Sequence, residues 1–125
     1  MFLTIDTTDP RPIYQQVVDG IKALIANGTL GEGAPLPPLR QVAADLRVNL
    51  NTIAAAYKAL HEAGLIVVKH GSGAIVASQT SAGRSEEELV RPLRAALTDL
   101  ILAGLSTEKI ARIVMRELKL AKESR

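Results

Sequence analysis

Apolar residues along this chain keep two different periods. Ile13, Val17, Ile21, Leu24 and Ile25 recur three and four apart, the spacing of one helix face, and the run closes before Gly28. Pro12, just ahead, suits a first helical turn because the N–H it lacks has no partner there. A turn-rich connector, "NGTLGEGAPLPP", follows. A short second helix then carries Leu39, Val42, Ala43 and Leu46 on one face. After a break at Arg47, Val48 and Asn49, a third helix is expected over roughly residues 50–63. Its inward face is Ile53, Ala56, Tyr57 and Leu60, and Gly64 ends it. The period then drops to that of strands. "LIVVKHGSGAIVAS" holds two short β-branched runs around His70, Gly71, Ser72 and Gly73, the outline of a hairpin.

Three helices, with a tight turn between the second and third, followed by a hairpin make a winged helix-turn-helix. Small polar residues then mark a hinge. Ser85 with Glu88 three residues on forms a capping box for a fourth helix. Pro92 predicts a kink in it, or a true start near residue 91. Leu93, Ala96, Leu97, Leu100 and Ile101 give this helix an apolar stripe, and Gly104 closes it. Ser106 can cap a fifth helix whose Ile110, Ile113, Val114 and Leu118 share a face. Two helices cannot bury two such stripes alone, so the segment must fold back or pair with a second chain. Pairing is preferred because two-fold assemblies are the commonest. The expected fold is mainly α with a small β-hairpin. A winged helix-turn-helix spans 1–78, a hinge 79–85 and a helical dimerisation segment 86–125. Leu93, Leu97, Leu100, Ile101, Ile110, Ile113, Val114 and Leu118 are the expected dimer contacts.

Composition narrows the function classes. With 47% hydrophobic and 22% charged residues the chain reads as globular. Phe2, Tyr14 and Tyr57 are its only aromatics, too few for a protein that stacks single-stranded bases. The absence of cysteine excludes disulfides and thiolate metal sites, and fits a reducing cytosol. The N-terminus lacks a signal-peptide pattern, and no apolar run approaches the ~18 residues of a membrane span. A cytoplasmic protein without a membrane partner is expected. The net charge is +2, but residues 1–78 hold six basic and six acidic residues and the surplus lies in the tail. A nucleic-acid partner therefore cannot be argued from bulk charge, only from where charges sit. His61, Glu62 and His70 are the one candidate metal cluster. His61 and Glu62 are adjacent on a helix and point apart, and His70 lies across a hairpin. No P-loop, Ser/His/Asp spacing or paired carboxylates occur. Neither metal, cofactor nor catalysis is expected.

Residues 36–76, "LPPLRQVAADLRVNLNTIAAAYKALHEAGLIVVKHGSGAIV", resemble the DNA-binding domain of GntR-family transcription regulators. That family's form runs L-P-S-x-R-x-L-A, V-S/N-x-x-T-V, A-Y-x-x-L-x-x-x-G and a G-x-G wing. Leu36, Pro37, Arg40, Ala43, Leu46, Val48, Asn49, Asn51, Thr52, Ala56, Tyr57, Leu60, Gly64, Gly71, Gly73 and Val76 match it. Residues 12–30 are similar to the family's first helix. "VNLNT" and the short two-helix tail are similar to the compact YtrA-like branch. The resemblance implies a homodimeric, DNA-binding transcription regulator, expected to repress from a palindromic operator in double-stranded DNA. A small-molecule effector stays open, with no site for it visible in sequence. The alternative is a winged-helix protein-interaction module that has lost DNA binding, suggested by the neutral first half and the alanine-filled third helix.

The candidate DNA contacts are Arg40, Asn49, Leu50, Asn51, Thr52, Lys58, Lys69, His70, Gly71, Ser72 and Gly73. Asn49, Asn51 and Thr52 open the third helix, where free N–H groups favour an anion and short polar side chains can reach phosphate or base. Asn49 or Asn51 can equally serve as the helix cap. The resemblance gives Arg40 a DNA contact; the competing reading pairs it with Asp45. Gly71 and Gly73 let a wing turn tightly, with Lys69, His70 and Ser72 at its tip, although many hairpins need glycine only for its torsions. Departures from the family pattern matter too. Pro38 replaces the usual serine, and Leu50, Ala54 and Ala55 stand where arginine is frequent. Few direct guanine contacts and an A·T-leaning preference follow, because Leu50 can touch a thymine methyl but donates no hydrogen bond.

Overall fold

In the computed structural model, which describes residues 3–69, 73–78 and 84–123, Pro12 stands at the N-cap position of helix α1, Ile13–Ala26. Val17, Val18, Ile21 and Ile25 of α1 are buried. Ile13 is not, although the apolar spacing includes it. It lies in the first turn, beside a shallow hollow shared with Ile5 and Val48, and Val18 takes a core place. Gln16 is buried as well, and both ends of its amide are used. Its Oε1 accepts from the Asp6 N–H at 2.9 Å, and its Nε2 donates to the carbonyls of Asp6 at 3.1 Å and Arg11 at 3.3 Å. That clamp holds the extended start of the chain on α1. Leu3 packs so closely over Gly20 that a Cβ there would come within 2.6 Å of its Cδ2.

Helix α2, Leu39–Leu46, and helix α3, Leu50–Glu62, follow. Between them Arg47 takes a left-handed conformation, φ 56°. The Val48 N–H reaches back to the Ala43 carbonyl at 3.0 Å, so the turn closes on the end of α2. Ile53, Ala56, Tyr57 and Leu60 of α3 are buried, as the helical spacing predicts. Gly64, φ 77°, turns the chain into strand β1, Ile66–Lys69. It pairs antiparallel with β2, Gly73–Val76, in the register Ile66↔Val76, Val67↔Ile75, Val68↔Ala74 and Lys69↔Gly73.

The connector before α2 is more than a turn. The Gly33 N–H donates to the Val76 carbonyl, the Val76 N–H to Ala34 and the Leu36 N–H to Ala74, each at 2.9 Å. Pro35 bridges to Ile75. This segment adds a short third edge to the hairpin, where a proline's missing N–H is tolerated. Val17, Ile21, Val42, Ile53, Leu60, Ile66 and Val76 form the fully buried centre, so every element of this part meets one aliphatic core.

The chain divides into two compact units, within residues 1–79 and within 80–123. The second holds α4, Glu86–Leu102, and α5, Thr107–Lys122. Ser85 Oγ accepts from the Glu88 N–H and Ser106 Oγ from the Lys109 N–H, both at 3.2 Å. Helix α4 therefore starts at Glu86 and runs through Pro92 instead of beginning near residue 91. The serine cap and the acidic first turn, Glu86, Glu87 and Glu88, favour the earlier start. Neither helix buries a residue. Leu97, Leu100, Ile110, Ile113 and Val114 are half-buried, while Leu93, Ile101 and Leu118 are exposed. Among the described residues no helix is long and apolar enough to cross a membrane.

Candidate nucleic-acid interface

The first turn of α3 shows how the polar start of that helix is built. Asn49 is its N-cap: Oδ1 accepts from the Asn51 N–H at 2.7 Å. The cap uses the side chain's oxygen and not its amide N–H donors, and Asn49 is exposed. Asn51 is exposed, Leu50 is 37% exposed and Thr52 is half-exposed. Because the buried face is fixed at Ile53, Ala56, Tyr57 and Leu60, the opposite ridge consists of Asn51, Ala55, Lys58 and Glu62. Asn51 and Lys58 thus lie on that outward ridge, while Leu50 and Thr52 flank the buried face on its two sides and Asn49 precedes the helix.

Arg40 is exposed on the first turn of α2, whose start is fixed in space by two bonds that sequence spacing does not reveal. The Tyr57 hydroxyl donates to the Pro37 carbonyl at 2.7 Å, and the Leu36 N–H bonds the Ala74 carbonyl at 2.9 Å. The first ties the α2 entry to α3, and the second ties it to β2. Burial pushes the Tyr57 hydroxyl up to about 12, so it remains a proton donor throughout the neutral range. Pro38 supplies no side-chain cap, and the opening of α2 keeps its free N–H groups.

Charge placement separates the two units. Neither α2 nor α3 has an acidic residue in its first turn, whereas α4 has three and α5 has Glu108. Acidic side chains normally neutralise the positive end of a helix. At α2, which also lacks a side-chain cap, their absence leaves the helix start open to an external anion, while at α3 the Asn51 and Thr52 N–H groups already donate to Asn49. Among the described residues neither Arg40 nor Lys58 is in an ion pair, and Asp45 is not engaged by Arg40. The ion pairs of the first unit, among the described residues, belong to Arg11, which contacts Asp9 and Asp19. No three metal-ligating side chains come together among the described residues.

Of the wing candidates, Gly73 opens β2 with φ 75°, a conformation that favours glycine. His70, Gly71 and Ser72 lie outside the described residues, as does the side chain of Lys69. Two contributors escaped the sequence reading. Tyr57 was placed inward, but its hydroxyl also positions the Arg40 helix. Arg47, exposed at the helix-turn-helix turn, holds a backbone conformation usually given to glycine. Its signal in the sequence is only the break between two apolar runs.

Residues 13–76 match the family model described as "Bacterial regulatory proteins, gntR family". The chain is similar to the HTH-type transcriptional repressor YtrA of Bacillus subtilis, 29% identical over 111 residues that span 86% of this chain and 85% of that protein. A structure described as a transcriptional antiterminator from Listeria monocytogenes superposes with a TM-score of 0.89 at 29% identity, covering 99% of this chain and 95% of its own. The DNA-binding domain of AraR in complex with operator ORX1 is similar over 62% of this chain and 93% of its own, with a TM-score of 0.53 and 26% identity.

Proposed function

Because the chain belongs to the GntR family of bacterial regulatory proteins, as a DNA-binding transcription regulator of its compact YtrA-like branch, we propose that it acts as a homodimeric repressor on a two-fold symmetric operator. The observation that carries the dimer is the second unit: two amphipathic helices in which no residue is buried. Leu93, Ile101 and Leu118 present apolar surface there that a second copy can cover. In this reading residues 1–78 form the DNA-binding domain, 79–85 a hinge and 86–125 the dimerisation segment.

On DNA, α3 enters the major groove with Asn49, Leu50, Asn51 and Thr52 at base edges and phosphates. Arg40 and Lys58 hold the backbone, and the wing at Lys69–Gly73 lies against the neighbouring minor groove. Repression follows from occupying a promoter in the cytoplasm and blocking polymerase; the similar YtrA protein is named a transcriptional repressor. Gel-shift titration on a palindrome from the protein's own promoter tests this. Salt-sensitive, sequence-preferring retention at dimeric protein concentrations is expected. Equal retention of an unrelated duplex, or none at any salt, contradicts it.

A further inference from the structure

Along the flank of α3 that faces β1 and β2 runs a groove of about 590 Å³. Small-molecule sites span roughly 300–1,000 Å³. Leu36, Leu39, Ala54, Val68 and Ala74 make it largely apolar, and Val68 stands 60% exposed. The hydroxyl of Tyr57, which also lines it, is already committed to the Pro37 carbonyl. Among the described residues the polar side chains left for a ligand are Lys58 and His61, three residues apart on α3 and both exposed. No acidic residue among those described lines the groove. Glu62 lies with Lys58 and Tyr14 at a separate hollow and makes no ion pair with Lys58.

We propose that this groove binds a small apolar carboxylate. Its hydrocarbon body lies against Leu39, Val68 and Ala74, where burial of apolar surface drives association. Its carboxylate accepts from the Lys58 ammonium and the His61 imidazole at one edge, a charge-assisted contact. The charge of the ligand is set by the site: a cation without an acidic neighbour in the groove is complemented by an anion, and an apolar wall rejects a fully polar one. Occupancy covers Lys58 and fills the space between α3 and the wing. An occupied groove and a bound operator therefore exclude one another, which gives the regulator an effector site inside its DNA-binding unit. That exclusion rests on the DNA-contact reading above; the binding itself does not.

The test uses decanoate as probe and decanol as its uncharged control, titrated into the full-length, isotope-labelled chain without DNA and followed by amide NMR. Saturable shifts at Ala54, Val68 and Ala74 are expected, about tenfold weaker with decanol because the charged hydrogen bonds are lost. Val68→Ser, on an exposed strand position, should weaken decanoate severalfold by removing apolar contact. Absence of saturable shifts there below the micellar concentration, equal response to decanol, or shifts confined to α4 and α5 would overturn the site. A second arm adds decanoate to the protein–operator complex. Release supports the exclusion. Groove binding with the operator still held would leave the ligand site standing and overturn instead the placement of Lys58 on DNA.

Discussion

In the proposed DNA complex, Arg40 carries more of the binding than its single charge suggests, because α3 offers few direct base contacts of its own. Ala54 and Ala55 donate nothing, and the oxygen of Asn49 is spent on the cap. Arg40→Ala should weaken binding similarly across sequences and reduce the slope of log affinity against log salt by about one unit, as expected for one lost phosphate contact. An unchanged slope would place Arg40 off the phosphate backbone. Tyr57 makes a second prediction. Burial holds its hydroxyl near 12 in the folded chain, against about 10 for a free tyrosine. The raised value means that its contribution is complete below pH 10 and is lost as pH rises toward 12. Tyr57→Phe should cost about 1 kcal/mol near neutral pH, the net worth of one hydrogen bond, and should flatten the alkaline loss measured by denaturant titration. The inward position of Tyr57 was legible from its helical spacing. Its bond to Pro37 was not, since the partners lie 20 positions apart and only the tertiary fold joins them. The Gln16 clamp on Asp6 was hidden for the same reason.

Elements differ in how plainly the sequence announces them. Helix α3 was readable because its apolar period, its Asn49 cap and its Gly64 stop agree. The start of α4 was obscured by Pro92, a local signal outweighed by the serine cap and three glutamates ahead of it. The segment 33–36 read as a connector because a strand of one bridge has too few residues to show a period. Yet it ties the wing to the entry of α2, so the helix that carries Arg40 moves with β2. That entry can be improved. Pro38 sits at the N-cap of α2 without a side-chain bond, and Pro38→Ser should restore a hydroxyl cap. Stabilisation of about 1 kcal/mol in chemical denaturation is expected. No gain, or a loss, would mean that proline's stiffening of the loop outweighs the missing cap.

The whole molecule combines a unit with a closed aliphatic core and a unit with none. Ile101 is 63% and Leu118 49% exposed in the single chain, so a charge at either position costs the isolated monomer little. Across a dimer contact the same charge must be desolvated. Ile101→Glu with Leu118→Glu should therefore leave the fold of the first unit intact by circular dichroism while shifting sedimentation from dimer to monomer. A variant that still sediments as a dimer would place the contact elsewhere. The sequence showed the amphipathic stripes of α4 and α5 clearly, but a stripe does not say what, if anything, lies against it.

The most direct test compares one duplex carrying the full two-fold symmetric site, recovered by selection from random DNA, with one carrying half of it. Fluorescence anisotropy with the full-length protein should give two chains on the symmetric duplex and binding about a hundredfold weaker on the half-site, since the second contact becomes intramolecular. Both affinities should fall steeply with salt. Equal affinity for the two duplexes, with one chain on each, would contradict a regulator that reads its operator as a symmetric pair.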